Sequence, residues 1–244
     1  MPSLRTWRAD LHVHSVLSPC ATYRMAPGEI ARRAVEVGLE LIAITDHNSA
    51  ENAAAVVEAG RRVGLTVLPG MEMETSEEVH VLTLFEEARQ AMDMQSIAYA
   101  HLPDLPNDEE FFGAQLIVDA ADQFVRKEPR RLIVATSLGL SEVSTLVVAL
   151  GGICIPAHVD RPAYGLVGVL GFVPPLPGFP ALEVSRHARP EDYALPGRPA
   201  LRSSDAHDLD DLGSGETDFV MAEPTLAEIV RACHGEDGRR VEVR

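Results

Sequence analysis

The chain predicts an α/β fold with a parallel sheet, on three observations. Short continuous apolar runs alternate with helix-patterned segments, Pro and Gly punctuate the ends of those segments, and polar residues cluster just past the apolar runs. Parallel strands need long crossovers, and the intervening helical segments supply them. With 244 residues and 46% hydrophobic content, one substantial domain is expected over residues 1–244.

The first strand is the apolar run from Leu4, which ends in Ala9-Asp10-Leu11-His12-Val13-His14-Ser15. Pro27-Gly28-Glu29 opens a helix carrying Ile30, Ala34 and Val35, with Gly38 as its stop. Leu41-Ile42-Ala43-Ile44-Thr45 reads as a strand buried on both faces and runs into Asp46-His47. A second helix from Glu51 to Val63 is closed by Gly64; Leu65–Pro69 is the third strand, followed by Gly70-Met71-Glu72. Val79–Phe85 is a fourth strand. The charged stretch from Glu86 to Arg131, with its strongest pattern at Glu109–Val125, reads as a helical insertion over the mouth of the barrel. The alternation resumes with a helix at Ser141–Leu150 and strands at Ile153–His158, Pro180–Ser185 and Ala200–Asp205, and the apolar Phe219–Met221 and a helix at Leu226–Cys233 finish the domain.

Composition narrows the partners. A formal charge of −16 repels polyanions, so no duplex nucleic acid is expected as a partner, whereas cations held among carboxylates would still admit a small phosphorylated substrate. Cys20, Cys154 and Cys233 form no Cys-x-x-Cys, which speaks against a disulfide framework and for a reducing, cytoplasmic compartment. No window approaches the roughly 18 apolar residues of a membrane span, so no membrane partner is expected. No oligomeric state is implied.

The polar residues at the strand ends carry the functional signal. His12 and His14 alternate along an extended chain and so present two imidazoles to one face. Asp46 and His47, Glu72, His80, His158, Asp205 and His207 follow at later strand ends, and six of the nine histidines fall in this set. In α/β barrels that rim is where sites are assembled. Taken in order, His12-x-His14, Thr45-Asp46-His47, Gly70-x-Glu72, Val79-His80-Val81-Leu82, Pro156-Ala157-His158 and Ser204-Asp205-Ala206-His207 resemble the successive motifs of the PHP (polymerase and histidinol phosphatase) family of metal-dependent phosphoesterases, from about residue 8 to residue 215.

That resemblance implies a distorted (β/α)7 barrel with two or three divalent ions, zinc, manganese or iron, in its mouth. It implies that His12, His14, Glu72 and Asp205 hold the first ion, and that Glu72 bridges to a second shared with His80 and His158. His47 and His207 would serve a third, together with the residue six positions after His14. Here that residue is Cys20, where many relatives carry histidine or aspartate; it is either a thiolate ligand or a small buried thiol. Asp46 is open as a ligand, as an orienter of a ligand histidine, the favoured role, or as the catalytic group that protonates the leaving oxygen.

The residue types suit the chemistry. Imidazoles and carboxylates bind borderline divalent ions, and a bridging carboxylate brings two ions close enough to activate a hydroxide for attack on phosphorus. Arg161 and Arg186, just past two of the strands, are candidates for holding the phosphate in catalysis and binding, with His187 beside them as a substrate contact. The expected function is hydrolysis of a small phosphorylated metabolite or nucleotide by attack of a metal-bound hydroxide. The alternatives are a 5′-end RNA or oligonucleotide nuclease, a non-catalytic metal-binding regulatory domain, and a metal-dependent hydrolase of C–N bonds.

Overall fold

The computed structural model describes residues 3–243. Strand β1 (Arg5–Val13) is followed by α1 (Pro27–Glu36), β2 (Leu41–Ile44), α2 (Ala53–Val63), β3 (Thr66–Glu74) and β4 (His80–Leu84). Then come α3 (Ala88–His101), α4 (Glu109–Phe112), the hairpin of β5 (Leu116–Val118) and β6 (Phe124–Lys127), α5 (Leu140–Ala149), β7 (Ile153–Pro156) and α6 (Leu166–Leu170). The chain ends through β8 (Leu182–Val184), β9 (Ala200–Arg202), β10 (Thr217–Met221), α7 (Leu226–Cys233) and β11 (Arg240–Val243).

Local chemistry explains the boundaries. In α1, Pro27 opens the first turn and Ile30, Ala31 and Ala34 form the buried stripe. Helix α2 stops at Gly64, which takes the left-handed conformation that glycine adopts freely. Thr225 caps α7 by accepting a hydrogen bond from the Glu228 N–H.

One curled sheet has the order β11-β10-β1-β2-β3-β4-β7, and β8 pairs with β9 separately. The β1–β2 and β2–β3 ladders are parallel, as the alternation predicts. Strand β4 breaks that pattern, running antiparallel to both β3 and β7. Five residues, 75–79, separate it from β3, far too few for a crossover, so the two can only form a hairpin. Strand β10 likewise lies antiparallel to β1. The pair β8–β9 sits between the flanks: the Val159 N–H donates to Glu183 O, and Val13 bridges Ala206 in parallel. The α/β class and a curled half-barrel therefore stand, with two reversed strands in place of a strict (β/α)7 repeat.

The stretch from Glu86 to Arg131 differs most from expectation. Helix α3 packs on β3 and α2 as part of the outer layer. The strongest predicted helical piece, Glu109–Val125, holds only the short α4, and Gly113 (φ +100°) follows it. Beyond that glycine, β-branched and aromatic residues flank a turn in which the Asp119 carboxylate accepts hydrogen bonds from the N–H groups of Ala121 and Gln123, so a hairpin forms. The segment borders one side of the rim: the Leu116 N–H donates to Val16 O, and Asn48 Nδ2 donates to Leu132 O.

Two apolar layers hold the frame. Leu11, Leu41, Leu68, Leu82, Ile155, Leu201 and Phe219 pack on one face of the strands. Ile30, Val56, Val67, Met71, Phe85 and Val143 join helices to the other. Truncating one such side chain, Leu82→Ala for instance, costs about 2–5 kcal/mol. A frame with this margin can carry buried polar groups at one end.

Candidate metal centre

The strand directions bring the polar residues to one rim. His12 is the penultimate residue of β1 and His14 lies just past it, where the register with β2 shifts between Asp10 and Val13. His47 follows β2 and bridges Glu72, which lies inside β3, not at its end. His80 begins β4; because that strand is reversed, its first residue reaches the same rim as the last residues of its neighbours. His158 follows β7, and Asp205 and His207 follow β9. His158 and Asp205 have φ of +30° and +54°, a region that side chains other than glycine seldom occupy and that recurs at functional sites.

Glu72 is the hub. Its Oε1 lies 2.9 Å from His80 Nδ1, 3.1 Å from His158 Nε2 and 3.4 Å from His12 Nε2. Its Oε2 lies 3.0 Å from His47 Nδ1 and 3.5 Å from His14 Nε2. Asp205 Oδ1 is 3.3 Å from His12 Nε2 and 3.2 Å from His14 Nε2, and these two imidazole nitrogens are 3.1 Å apart. The tight triads are His12, His14 and Asp205; His47, Glu72 and His80; and His14, His47 and His207. The resemblance divides the same residues differently, since His14 and His47 are each shared between two triads. Cys20 is exposed, yet its thiol lies beside the imidazoles of His207 and His47.

A second layer orients these groups. Glu183, buried in β8, accepts from His12 Nδ1 and from the His158 N–H, each at 3.0 Å. Sequence reasoning missed it, although a lone acid inside the apolar run Leu182-Glu183-Val184 was a readable signal. Ser18 is a second omission: its hydroxyl lies 2.9 Å from His14 Nδ1 and donates to Asp46 Oδ1 at 2.7 Å. Asp46 is buried and also accepts from the Ser15 N–H at 2.7 Å and the Ser15 hydroxyl at 2.6 Å. Its two oxygens are thus taken up by Ser15 and Ser18. Asp10 accepts from the N–H groups of His12, Ser204 and Gly213 and so ties β1 to the loop bearing Asp205.

The arginines differ from one another. Arg161 reaches the rim, its Nη2 2.7 Å from the outer oxygen of Asp205, with 43% of its side chain exposed. Arg186 is engaged instead by Asp211 at 2.6 Å and the Ser214 hydroxyl at 3.0 Å, and exposed His187 lies beside Arg186.

The electrostatics fit divalent cations. Burial opposes charge on Glu72, but His80, His12 and His47 hold its carboxyl well below the usual carboxylate range. Asp205 is held low in the same way by His12 and by its hydrogen bond with His14. Against burial, Glu183 raises His12 and Glu72 raises His47, whereas burial and the neighbouring His207 lower His14. Burial raises the Cys20 thiol, but His207 and His47 outweigh it and bring it down to about 6. Ionised carboxylates thus converge with imidazoles whose protons balance them, and a cation would displace those protons. Buried His158 Nδ1 and Glu183 Oε2 have no hydrogen-bond partner, an arrangement expected where a charge is to be completed.

Several solved structures share this fold. The lesion-specific endonuclease PfuEndoQ from Pyrococcus furiosus is 20% identical, with a TM-score of 0.68 over 97% of this chain and 58% of its own. Endonuclease Q in complex with a 27-mer duplex substrate carrying an abasic lesion at the active site matches at 0.67, 20% identity and the same coverage. This chain therefore spans a little under three fifths of endonuclease Q. A protein from Bifidobacterium adolescentis assigned to the metal-dependent phosphoesterases matches at 0.54 with 22% identity, over 82% of this chain and 87% of its own. An amidohydrolase from Chromobacterium violaceum with bound sulfate matches at 0.54 with 20% identity, over 84% of this chain and 89% of its own. No curated protein matches by sequence.

The duplex complex corrects the expected partners. The net charge of −16 argues against duplex nucleic acid as a partner, but endonuclease Q, which shares this fold over 58% of its own length, is solved with a 27-mer duplex substrate, so that exclusion does not stand. Charge summed over a chain does not set the potential at one mouth, where the local groups and any bound cation dominate. Among the described residues no helix is long and apolar enough to cross a membrane. The PHP domain model matches residues 10–167, more than half of the sequence and all of the rim motifs up to His158, and the chain belongs to the PHP domain family.

Proposed function

We propose that this protein hydrolyses phosphoester bonds at a centre of two or three divalent ions, zinc, manganese or iron. The observation that carries the reading is Glu72, one buried carboxylate set within 3.5 Å of five imidazoles. A carboxylate so placed has two oxygens to share between ions, and the surrounding histidines complete each set. His12, His14, Glu72 and Asp205 would hold the first, Glu72, His80 and His158 the second, and His47, His207 and Cys20 a third. Bound there, divalent ions supply an activated water and neutralise charge on the phosphoryl oxygens.

The chain's own groups do the positioning. Glu183 fixes the His12 tautomer through Nδ1, leaving Nε2 to face the centre. Ser18 does the same for His14, with Asp46 holding Ser18. Arg161, whose planar fork is half exposed at the rim, receives a phosphate oxygen. Arg186 would join only by releasing Asp211, with His187 beside it.

A second reading is cleavage of a nucleic-acid strand, favoured by the likeness over 97% of this chain to an endonuclease holding duplex DNA. The test is turnover of p-nitrophenyl phosphate and of a duplex carrying an abasic site, each with added Mn²⁺ or Zn²⁺. Hydrolysis of either supports phosphoesterase chemistry, and the duplex alone being cut selects the second reading. No turnover with ions confirmed bound overturns both, leaving a metal-binding regulatory domain or a C–N hydrolase.

A further inference from the structure

The loop from Val159 to Gly165 carries more than Arg161. Three residues on, the Tyr164 ring stacks on the His80 imidazole, centroids 4.6 Å apart and planes inclined at 23°. One face of the ring thus covers an imidazole of the metal centre, while the residue as a whole is 45% exposed. Its backbone is pinned, since Tyr164 O accepts from the His80 N–H at 2.9 Å and the Arg161 N–H donates to His158 O at 2.9 Å. The loop is tight: a Cβ on Gly165 would lie 2.3 Å from Arg161 O. Tyr164 also has φ +62°, strained for an aromatic residue, so local backbone preference does not account for a large ring at this position.

We propose that the open face of Tyr164 is a stacking platform for a planar base on the substrate, so that the phosphoester taken by this site is that of a nucleotide, free or within a strand. The proposal rests on the phosphoesterase reading and names its substrate class. One short loop then presents a guanidinium to the phosphate and an aromatic face to the base, the two groups a nucleotide offers for recognition. Stacking tolerates any base, because every base has a π-face. The His80 stack holds the ring in place, so little side-chain freedom is lost on binding.

The experiment uses Mn²⁺-loaded protein with AMP and ribose 5-phosphate, which share sugar and phosphate and differ only in the base. In Tyr164→Gly, which suits the left-handed backbone, the ratio of kcat/KM for AMP to that for ribose 5-phosphate falls about tenfold. In Tyr164→Trp the ratio recovers. An unchanged ratio in the glycine variant, with both substrates slowed alike, makes the ring a support for His80 only and overturns the proposal. A single-stranded oligonucleotide and an abasic duplex form further arms, and a Tyr164 effect confined to them assigns the base to a strand. Quenching of 2-aminopurine riboside 5′-monophosphate fluorescence needs no turnover. If none of the phosphoesters is hydrolysed the phosphoesterase reading fails, and quenching that is lost in Tyr164→Gly and kept in Tyr164→Trp still supports the platform, whereas equal quenching in all three overturns it.

Discussion

The two flanks of the mouth are built differently. On one, His12, Glu72, His80 and His158 are buried, ride on strands or strand ends, and are cross-braced by Glu183. On the other, Cys20 is exposed and the His207 side chain is 27% exposed, both on loops tied by a hydrogen bond from the Thr22 N–H to His207 O. Strand-borne ligands are preorganised because a packed sheet holds them, whereas loop-borne ligands must be ordered by the ion itself. Ion affinity should therefore fall from the Glu72 flank to the Cys20 flank.

The most damaging way to break that comparison is at its hub. Glu72→Gln keeps the volume but removes the shared charge. Turnover is expected to vanish and metal content per chain to fall, with the far-ultraviolet circular dichroism intact; persistent turnover would remove Glu72 from the centre. Next comes Glu183→Gln, which leaves every ligand in place and weakens only their bracing. A loss of about 10- to 100-fold in metal affinity, measured by competition with a chelating dye, is expected. A smaller effect is expected on the exposed flank: Cys20→Ser should lower the zinc measured by elemental analysis by no more than one ion per chain. Unchanged stoichiometry would mean that the thiol is not a ligand.

The smallest effect lies outside the mouth and separates acid damage to the fold from acid damage to the site. Arg239, just before β11, donates two hydrogen bonds to Glu228 of α7, at 2.7 and 2.8 Å, and holds its carboxyl at about 2, against 4.5 for an ordinary glutamate. A folded-state pKa below the unfolded one adds stability that is complete above about pH 4.5 and drains away as the pH falls through 2. The melting temperature of Glu228→Gln should accordingly lie below that of the parent at pH 7 and converge on it in acid. A constant gap across that range would show that the pair is not the acid-sensitive element.

Much of the site was legible because each of its residues interrupts an apolar run. His12-x-His14, His47, Glu72, His80, His158 and Asp205-x-His207 announce themselves against strands that otherwise bury every side chain. Glu183 broke the same rule and was passed over, because its partners, His12 and His158, lie 171 and 25 residues away. Tyr164 gave no such signal, since an aromatic residue in a polar loop looks ordinary until its ring is seen on His80. The insertion misled because Glu109–Val125 has charges at helical spacing, while the Gly113 backbone and the Asp119 turn, which end that helix, are local features that periodicity does not weigh.

By itself, then, the sequence determined the alternation of strands and helices, the family and the histidines and acids that gather at the rim, because burial periodicity and residue chemistry are written residue by residue. The short link between β3 and β4 already turns His80 toward Glu72, but only the tertiary structure decided the bracing of His12 and His158 by Glu183 and the stack of Tyr164 on His80. These depend on contacts between residues far apart in the chain, and no local pattern encodes which distant partner a buried polar group will meet.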